Sequence, residues 1–317
     1  ASIRPAVFRP GKFPEKEGGG MPSNRTSILW AVLAAAFYAL NAPLSKWLLA
    51  DIPPTMMAAL LYLGAGTGMA AVRLIQRRTG TRPHEAPLTR QDLPYTVGMV
   101  VLDIAAPIFL MIGLTKTTAA NASLLNNFEI VATALIALLA FGEVISRRLW
   151  AAIGLVTLSS ILLSVEDAGS FSFSIGSVFV LLACTCWGLE NNCTRSISDK
   201  DPLQIVVIKG FGSGGGSLVI ALLQGERLTD GLAALGALAL GFVAYGLSIF
   251  FYIYAQRGLG AAKTSAYYAV APFLGAGLSL AIFRQAPSPI FLVALLLMAA
   301  GAWLATVDSP PAESSSS

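Results

Sequence analysis

Ten apolar stretches, each close to twenty residues and joined by brief polar connections, commit this chain to crossing a lipid bilayer. They run over about 28–50, 55–76, 93–113, 118–141, 149–165, 175–197, 203–224, 232–255, 261–283 and 289–307. Composition agrees. Charged residues are 12% of the 317, where soluble domains carry roughly 25%, so too little charge is present to coat a water-facing surface. Hydrophobic residues make up 55%, and mean hydropathy is +0.70. The expectation is an all-α integral membrane protein with ten transmembrane helices and no large soluble domain.

Residues 1–27 are rich in Pro, Gly and charge and hold no apolar core before Ile28, which excludes a signal peptide and predicts a disordered tail. Met21 is one candidate start of the natural chain. Residues 308–317 are a polar C-terminal tail. Positive charge gathers in the N-terminal tail, around Arg73, Arg77, Arg78, Arg82 and Arg90, and at Arg147 and Arg148. Alternate loops are poor in it, so both termini are expected in the cytoplasm. The net charge of +4 is spent on topology and gives no reason to invoke nucleic acid.

The stretch Phe37-Tyr38-Ala39-Leu40-Asn41-Ala42-Pro43-Leu44-Ser45-Lys46 has a later echo. At one constant offset, Tyr38 meets Trp187, Leu40 meets Leu189, Asn41 meets Glu190, Ser45 meets Thr194, Lys46 meets Arg195 and Pro53 meets Pro202. A second offset pairs Ala119, Ala120, Ser123, Ala134, Leu138 and Phe141 with Ala261, Ala262, Ser265, Ala276, Leu280 and Phe283. The chain therefore reads as two units, 28–165 and 175–307. Five crossings per unit is odd, so the second unit enters the membrane upside down, as an inverted repeat.

Polar groups inside apolar segments cost free energy unless partnered, and they mark candidate function. Segment six carries Trp187, Glu190 and Thr194 on one helical face, with Asn191 and Asn192 beside them. Tyr38, Asn41 and Ser45 share a face of segment one, and Asn126, Glu129 and Thr133 share one of segment four. Segment nine offers Tyr268, segment three Asp103, and segment eight Tyr245, Ser248 and Tyr252. Lys209 lies roughly 9 Å inside segment seven, a depth that predicts an ion pair with Glu190. Glu129, roughly 16 Å in, is nearest the bilayer centre. Pro43 and Pro272 predict mid-helix kinks.

Other readings fall away on inspection. Cys184, Cys186 and Cys193 lie in one apolar segment without CxxC spacing, and His84 is the sole histidine, so no metal site is expected. The run Gly210-Phe211-Gly212-Ser213-Gly214-Gly215-Gly216 lacks the Gly-Lys-Ser/Thr ending of a phosphate loop. It reads as small-residue packing between helices, within one chain or between two copies in a homodimer, as do Gly64 and Gly68. No ATP-binding motif and no cofactor are expected.

The two five-helix units, the Ala-rich fourth segment ending Phe141-Gly142-Glu143 and its counterpart with Ala271-Pro272 resemble the EamA-like family of the drug/metabolite transporter superfamily. The Trp187-Gly188-Leu189-Glu190-Asn191-Asn192 stretch, with Asp201-Pro202 and Lys209-Gly210, looks like a subgroup signature. Ile130 departs from the pattern, standing where such repeats often carry proline, and so does Arg284-Gln285, standing where the second half would close with Gly-Glu. The resemblance implies a secondary active transporter, not an enzyme, in a bacterial inner membrane. The expected cargo is a small polar metabolite, an amino acid or related compound or a drug-like cation, exported by alternating access. Expected substrate contacts are Glu190, Lys209, Asn191, Asn41, Trp187, Tyr38, Asn126, Tyr268 and Tyr245, with Glu129 or Asp103 carrying a coupling proton. The alternatives are a non-transporting sensor or assembly subunit, and a membrane-embedded lipid-modifying enzyme, which would need a clustered Asp or nucleophilic His that this sequence lacks.

Overall fold

The computed structural model describes residues 24–80, 86–141, 145–167, 172–197, 200–259, 264 and 267–307. Residues 1–23 and 308–317, Gly142-Glu143 and Ala261, Ala262 and Ser265 of the second alignment lie outside them. The first half holds α1 (Asn24–Ala39), α2 (Asn41–Leu48), α3 (Pro54–Thr79), α4 (Leu93–Lys116), α5 (Ala119–Leu125), α6 (Phe128–Phe141) and α7 (Arg147–Ser164). A small antiparallel ribbon, Val165–Asp167 with Ser172–Phe173, leads into the second half. There α8 (Ile175–Ser196), α9 (Pro202–Leu223) and α10 (Gly231–Gly241) run into a π-helical stretch, Phe242–Leu247, and α11 (Ser248–Leu259). The described chain closes with α12 (Ala271–Ile282) and α13 (Pro289–Val307).

Local chemistry starts these helices. Asp201 accepts from the backbone of Leu203 and Gln204 to begin α9, and Asp230 does the same for α10 with Leu232 and Ala233. Thr118 caps α5 and Ser146 caps α7. Helix α3 has Pro54 at its first position and receives its cap from afar: the Glu226 carboxylate accepts from the N–H groups of Thr55 and Met56.

Eight helical stretches among the described residues are long and apolar enough to cross a membrane. Helix α8, 22 residues long, falls outside that number because Glu190, Asn191, Asn192 and Arg195 dilute its apolar character. Helix α12 is apolar but has only 12 residues. Large side chains such as Leu139, Leu223, Leu232, Leu296 and Trp303 point outward, as a lipid-facing surface requires. The interior is rich in alanine and methionine, among them Ala34, Ala58, Ala59, Met57, Met111 and Met298. Small side chains let backbones approach, and helix association in lipid depends on that contact.

Equivalent helices of the two halves run antiparallel against each other. Gly210 of α9 faces Gly66 of α3, while Gly214 faces Leu63. Ser159 of α7 bonds to the Ala294 carbonyl of α13, and Gly301 lies against Ala152 and Val156. Helix α4 packs along α8, and α1 packs along α11 in the matching way. This exchange of partners is a pseudo-two-fold relation between inverted repeats. Between α3 and α9 the backbones come close at Gly210, where an added Cβ would stand 2.3 Å from Gly66 Cα. Gly210, Gly212, Gly214 and Gly216 of α9 therefore pack within the chain, while Gly215 faces open space.

Two crossings are broken mid-way. The first parts at Leu40, just before Pro43, whose missing N–H leaves the Ala39 carbonyl without its helical donor. The fourth parts at Asn126 and Asn127, with short-range bonds from Glu129 N to Asn126 O and from Ile130 N to Asn127 O. No proline is needed for that break, so Ile130 leaves it intact. A turn at Ala269 and Val270 precedes Pro272 in the same manner.

Candidate intramembrane binding site

Three helices converge on one ammonium. Lys209 of α9 places Nζ 2.9 Å from Glu190 Oε1 of α8 and 3.1 Å from Asp103 Oδ2 of α4. The expected Glu190–Lys209 ion pair is present, and Asp103 joins it. Asp103 is completely buried and Glu190 nearly so. The Tyr62 hydroxyl of α3 donates to Asp103 Oδ1 at 3.0 Å, and Thr194, one turn along α8, donates to Glu190. Trp187 reaches the Tyr62 side chain. A charge cluster of this kind survives in hydrocarbon only when paired and hydrogen-bonded, and each carboxylate here is both.

Glu129 stands apart from this clamp. It lies in the first turn of α6, where the helix N-terminus favours negative charge. Asn191 Nδ2 donates to Glu129 Oε1 at 2.6 Å and lies 3.4 Å from Thr133 Oγ1. Asn191 thus serves Glu129, while neighbouring Asn192 donates to the Gly188 carbonyl at 2.8 Å and to the Thr133 carbonyl of α6 at 3.4 Å. Glu129, Asn191 and Thr133 each keep part of their surface open.

On the opposite side Asn41 donates to the Tyr245 hydroxyl at 3.0 Å and accepts from Ser45 at 3.1 Å. The repeat offsets make Asn41 and Tyr245 the counterparts of Glu190 and Asp103. One half has a charged clamp where the other has a neutral pair. Around Tyr245 gather Tyr62, at 5.1 Å between ring centres, and Tyr38, at 6.2 Å. Tyr268 sits 5.8 Å from Tyr38 and 5.0 Å from Tyr252, and its hydroxyl is 3.3 Å from that of Ser248. Tyr267, by contrast, is exposed.

At the meeting of the helix breaks lies a cavity of about 10 Å³, room for about one water, lined by Tyr38, Asn41, Ser123, Asn126, Pro272 and Gly275. The Ser123 hydroxyl is buried there and has no hydrogen-bond partner among the described residues. Lys46 is occupied elsewhere: its ammonium caps the last turn of α4 at the Leu114 and Thr117 carbonyls. The Cys184 thiol points to the Leu125 carbonyl at the end of α5, and the three cysteines are free thiols.

Two matches of one family model, the EamA-like transporter family, cover residues 25–165 and 174–307, one on each inverted repeat. The chain belongs to the EamA-like transporter family. A relative from Methanothermobacter thermautotrophicus (strain Delta H), described as an uncharacterized transporter, is 28% identical over 276 residues, covering 80% of this chain and 78% of its own. A crystal structure matches 92% of this chain and 99% of its own with a TM-score of 0.65 at 20% identity, a likeness of fold. Membership of the family makes the chain a multi-pass membrane transporter, and the superfamily expected from the sequence fits.

Within that family frame the expected residues fall into three groups. Glu190, Lys209 and Asp103 form the clamp, Glu129 and Asn191 a second unit, and Asn41, Tyr38, Tyr245 and Tyr268 the aromatic side. Asn126 lines the cavity, and Trp187 lies between clamp and aromatics. Tyr62 is the member that the sequence reading lacked. It is the one tyrosine of the apolar second segment, and that was its only signal.

Proposed function

We propose that this EamA-like chain is a secondary active transporter that moves a small polar metabolite across a bacterial inner membrane by alternating access. Ten crossings fit the architecture once α8 and the α12 region, where Thr264, Tyr267 and Tyr268 are also helical, are counted with the eight. Both termini then lie on one side, taken as cytoplasmic, with export as the direction. The observation that carries the reading is the polar centre between two groups of helices drawn from both repeats: α4 and α6 pack against α8 on one wall, α1 packs against α11 and α12 on the other, and α12 also rests on α5. Broken helices face each other across that seam, where irregular backbone is tolerated because it lines a polar site.

The Asp103–Lys209–Glu190 clamp joins α9 to the first wall. Glu129 and Asn191 on that wall, with Tyr38, Tyr268 and Asn41 opposite, are the proposed substrate contacts, and Glu129 is the proposed proton carrier. The small cavity lined by Tyr38, Asn41, Ser123 and Asn126 adjoins these contacts, and in alternating access the walls would part around it to admit cargo.

The test is a thermal-shift screen of detergent-purified protein against amino acids, nucleosides, polyamines and organic cations, followed by transport of each hit in proteoliposomes. A ligand at 100 times its dissociation constant stabilises the folded state by about 2.7 kcal/mol. The expected result is a hit that accumulates against its gradient when a pH gradient is imposed. A hit that binds but never crosses the vesicle wall would sink the transporter reading.

A further inference from the structure

Resting on the transporter reading, charge bookkeeping at the seam narrows the cargo. Among the described residues at the centre, three carboxylates (Asp103, Glu190 and Glu129) face one ammonium, and Lys209 is already shared by the first two. A zwitterion or anion would have to draw that ammonium out of a double ion pair. Glu129 has an amide partner and a helix start, neither of which cancels its charge. The other titratable groups around it are Glu190, Lys209 and Cys184 on α8 and α9, and Tyr38, Tyr245 and Tyr268 opposite. Arg147 and Arg148 begin α7 beyond the far end of α6. A lone carboxylate in hydrocarbon is stable only with a proton or a cation beside it.

Everything else at this place suits a cation. Glu129 stays partly open, whereas Asp103 and Glu190 are buried. Tyr38, Tyr252 and Tyr268 stand together on the other wall, each partly open, and aromatic faces attract organic cations. The orphan Ser123 hydroxyl, 3% exposed, lines the adjoining cavity, which Tyr38 shares. We infer that Glu129 and the Tyr38–Tyr252–Tyr268 cluster form the site for a monovalent organic cation, an ammonium, taken up in exchange for one proton released from Glu129. Charge balances at each exchange, since one positive charge leaves the carboxylate as another arrives.

The experiment uses three probes that share a phenyl ring: phenyltrimethylammonium, phenylalanine and phenylacetate, titrated calorimetrically into the purified full chain in two buffers of different ionisation enthalpy. Phenyltrimethylammonium is expected to bind at least tenfold more tightly than the other two and to release about one proton. Its affinity is expected to rise about tenfold per pH unit while Glu129 holds that proton. Glu129→Gln, checked for folding by thermal melt, abolishes the release. Should that variant not fold, Tyr268→Leu serves: it weakens the cation about three- to thirtyfold while leaving proton release per bound cation unchanged. Equal or tighter binding of phenylalanine or phenylacetate overturns the inference, as does absence of cation binding at every pH. Cation binding with proton release but no movement in proteoliposomes would overturn the transporter reading and leave this site standing. Transport of phenylalanine without cation binding would do the reverse.

Discussion

Lys209 Nζ of α9 lies 2.9 Å from Glu190 Oε1 and 3.1 Å from Asp103 Oδ2, so one ammonium ties together α4, α8 and α9. Removing it would leave two carboxylates facing each other in a low-dielectric interior. Breaking a buried ion pair by deleting one partner costs about 3–5 kcal/mol, because the remaining charge is left unpaired. Lys209→Met should therefore lower the unfolding midpoint of the purified protein sharply. The triple variant Lys209→Met, Asp103→Asn, Glu190→Gln removes all the charges together and should regain most of the loss. If the single variant melts like the wild type, the cluster contributes nothing to stability and the geometry has been overvalued.

Tyr62 provides the clamp's neutral support. Its hydroxyl donates to a fully buried carboxylate, and a hydrogen bond to a charged group is worth about 1.5–3 kcal/mol. Tyr62→Phe keeps the ring against Tyr245 and deletes only the donor. The expected outcome is a loss in that range in denaturation measurements, shrinking toward zero when Asp103 is already Asn. A double-mutant cycle reads that coupling directly; full additivity would show that the bond is not made.

Much of this fold is written in one dimension. Twenty apolar residues state a crossing whatever surrounds them, and Pro43 and Pro272 announce breaks because a missing N–H acts locally. The break at Asn126 and Asn127 is harder to read, since amides permit it without forcing it. The Glu190–Lys209 pair was legible from depth alone. The third member, Asp103, was not, because lateral placement of α4 against α9 depends on packing that no local pattern records. Asn191 shows the same limit: one residue from Glu190 in sequence, it turns about 100° around the helix and bonds to Glu129 on α6.

The α3–α9 contact offers a prediction with its control in the same helix. A Cβ at Gly210 would meet Gly66 Cα at 2.3 Å and its N at 2.4 Å, both rigid backbone, so Gly210→Ala must push the helices apart. Overpacking of this kind costs about 1–3 kcal/mol. Gly215, five residues along α9, has nothing within 4 Å of its added Cβ. Gly215→Ala should be neutral or stabilising by up to about 1 kcal/mol, since alanine suits a helix better. Equal melts for the two variants would mean that α9 does not seat on α3 at Gly210.

The pairing of α4 with α8 can be tested covalently. A Cβ built at Gly98 would stand 3.2 Å from Cys193 Sγ, close to the separation of about 3 Å between a Cβ and the far sulfur of a disulfide. Gly98→Cys should then form an intramolecular disulfide with Cys193 under mild oxidation, and Cys193→Ser should abolish it. Both residues belong to the same wall of the seam, which the proposed alternating access would move as a body. The oxidised protein should consequently keep transporting the cargo found in the screen, as fast as its reduced form. Cross-linking that stops transport, reversed by reduction, would mean that α4 and α8 slide past each other during the cycle. The seam between the walls would then not be where the protein opens.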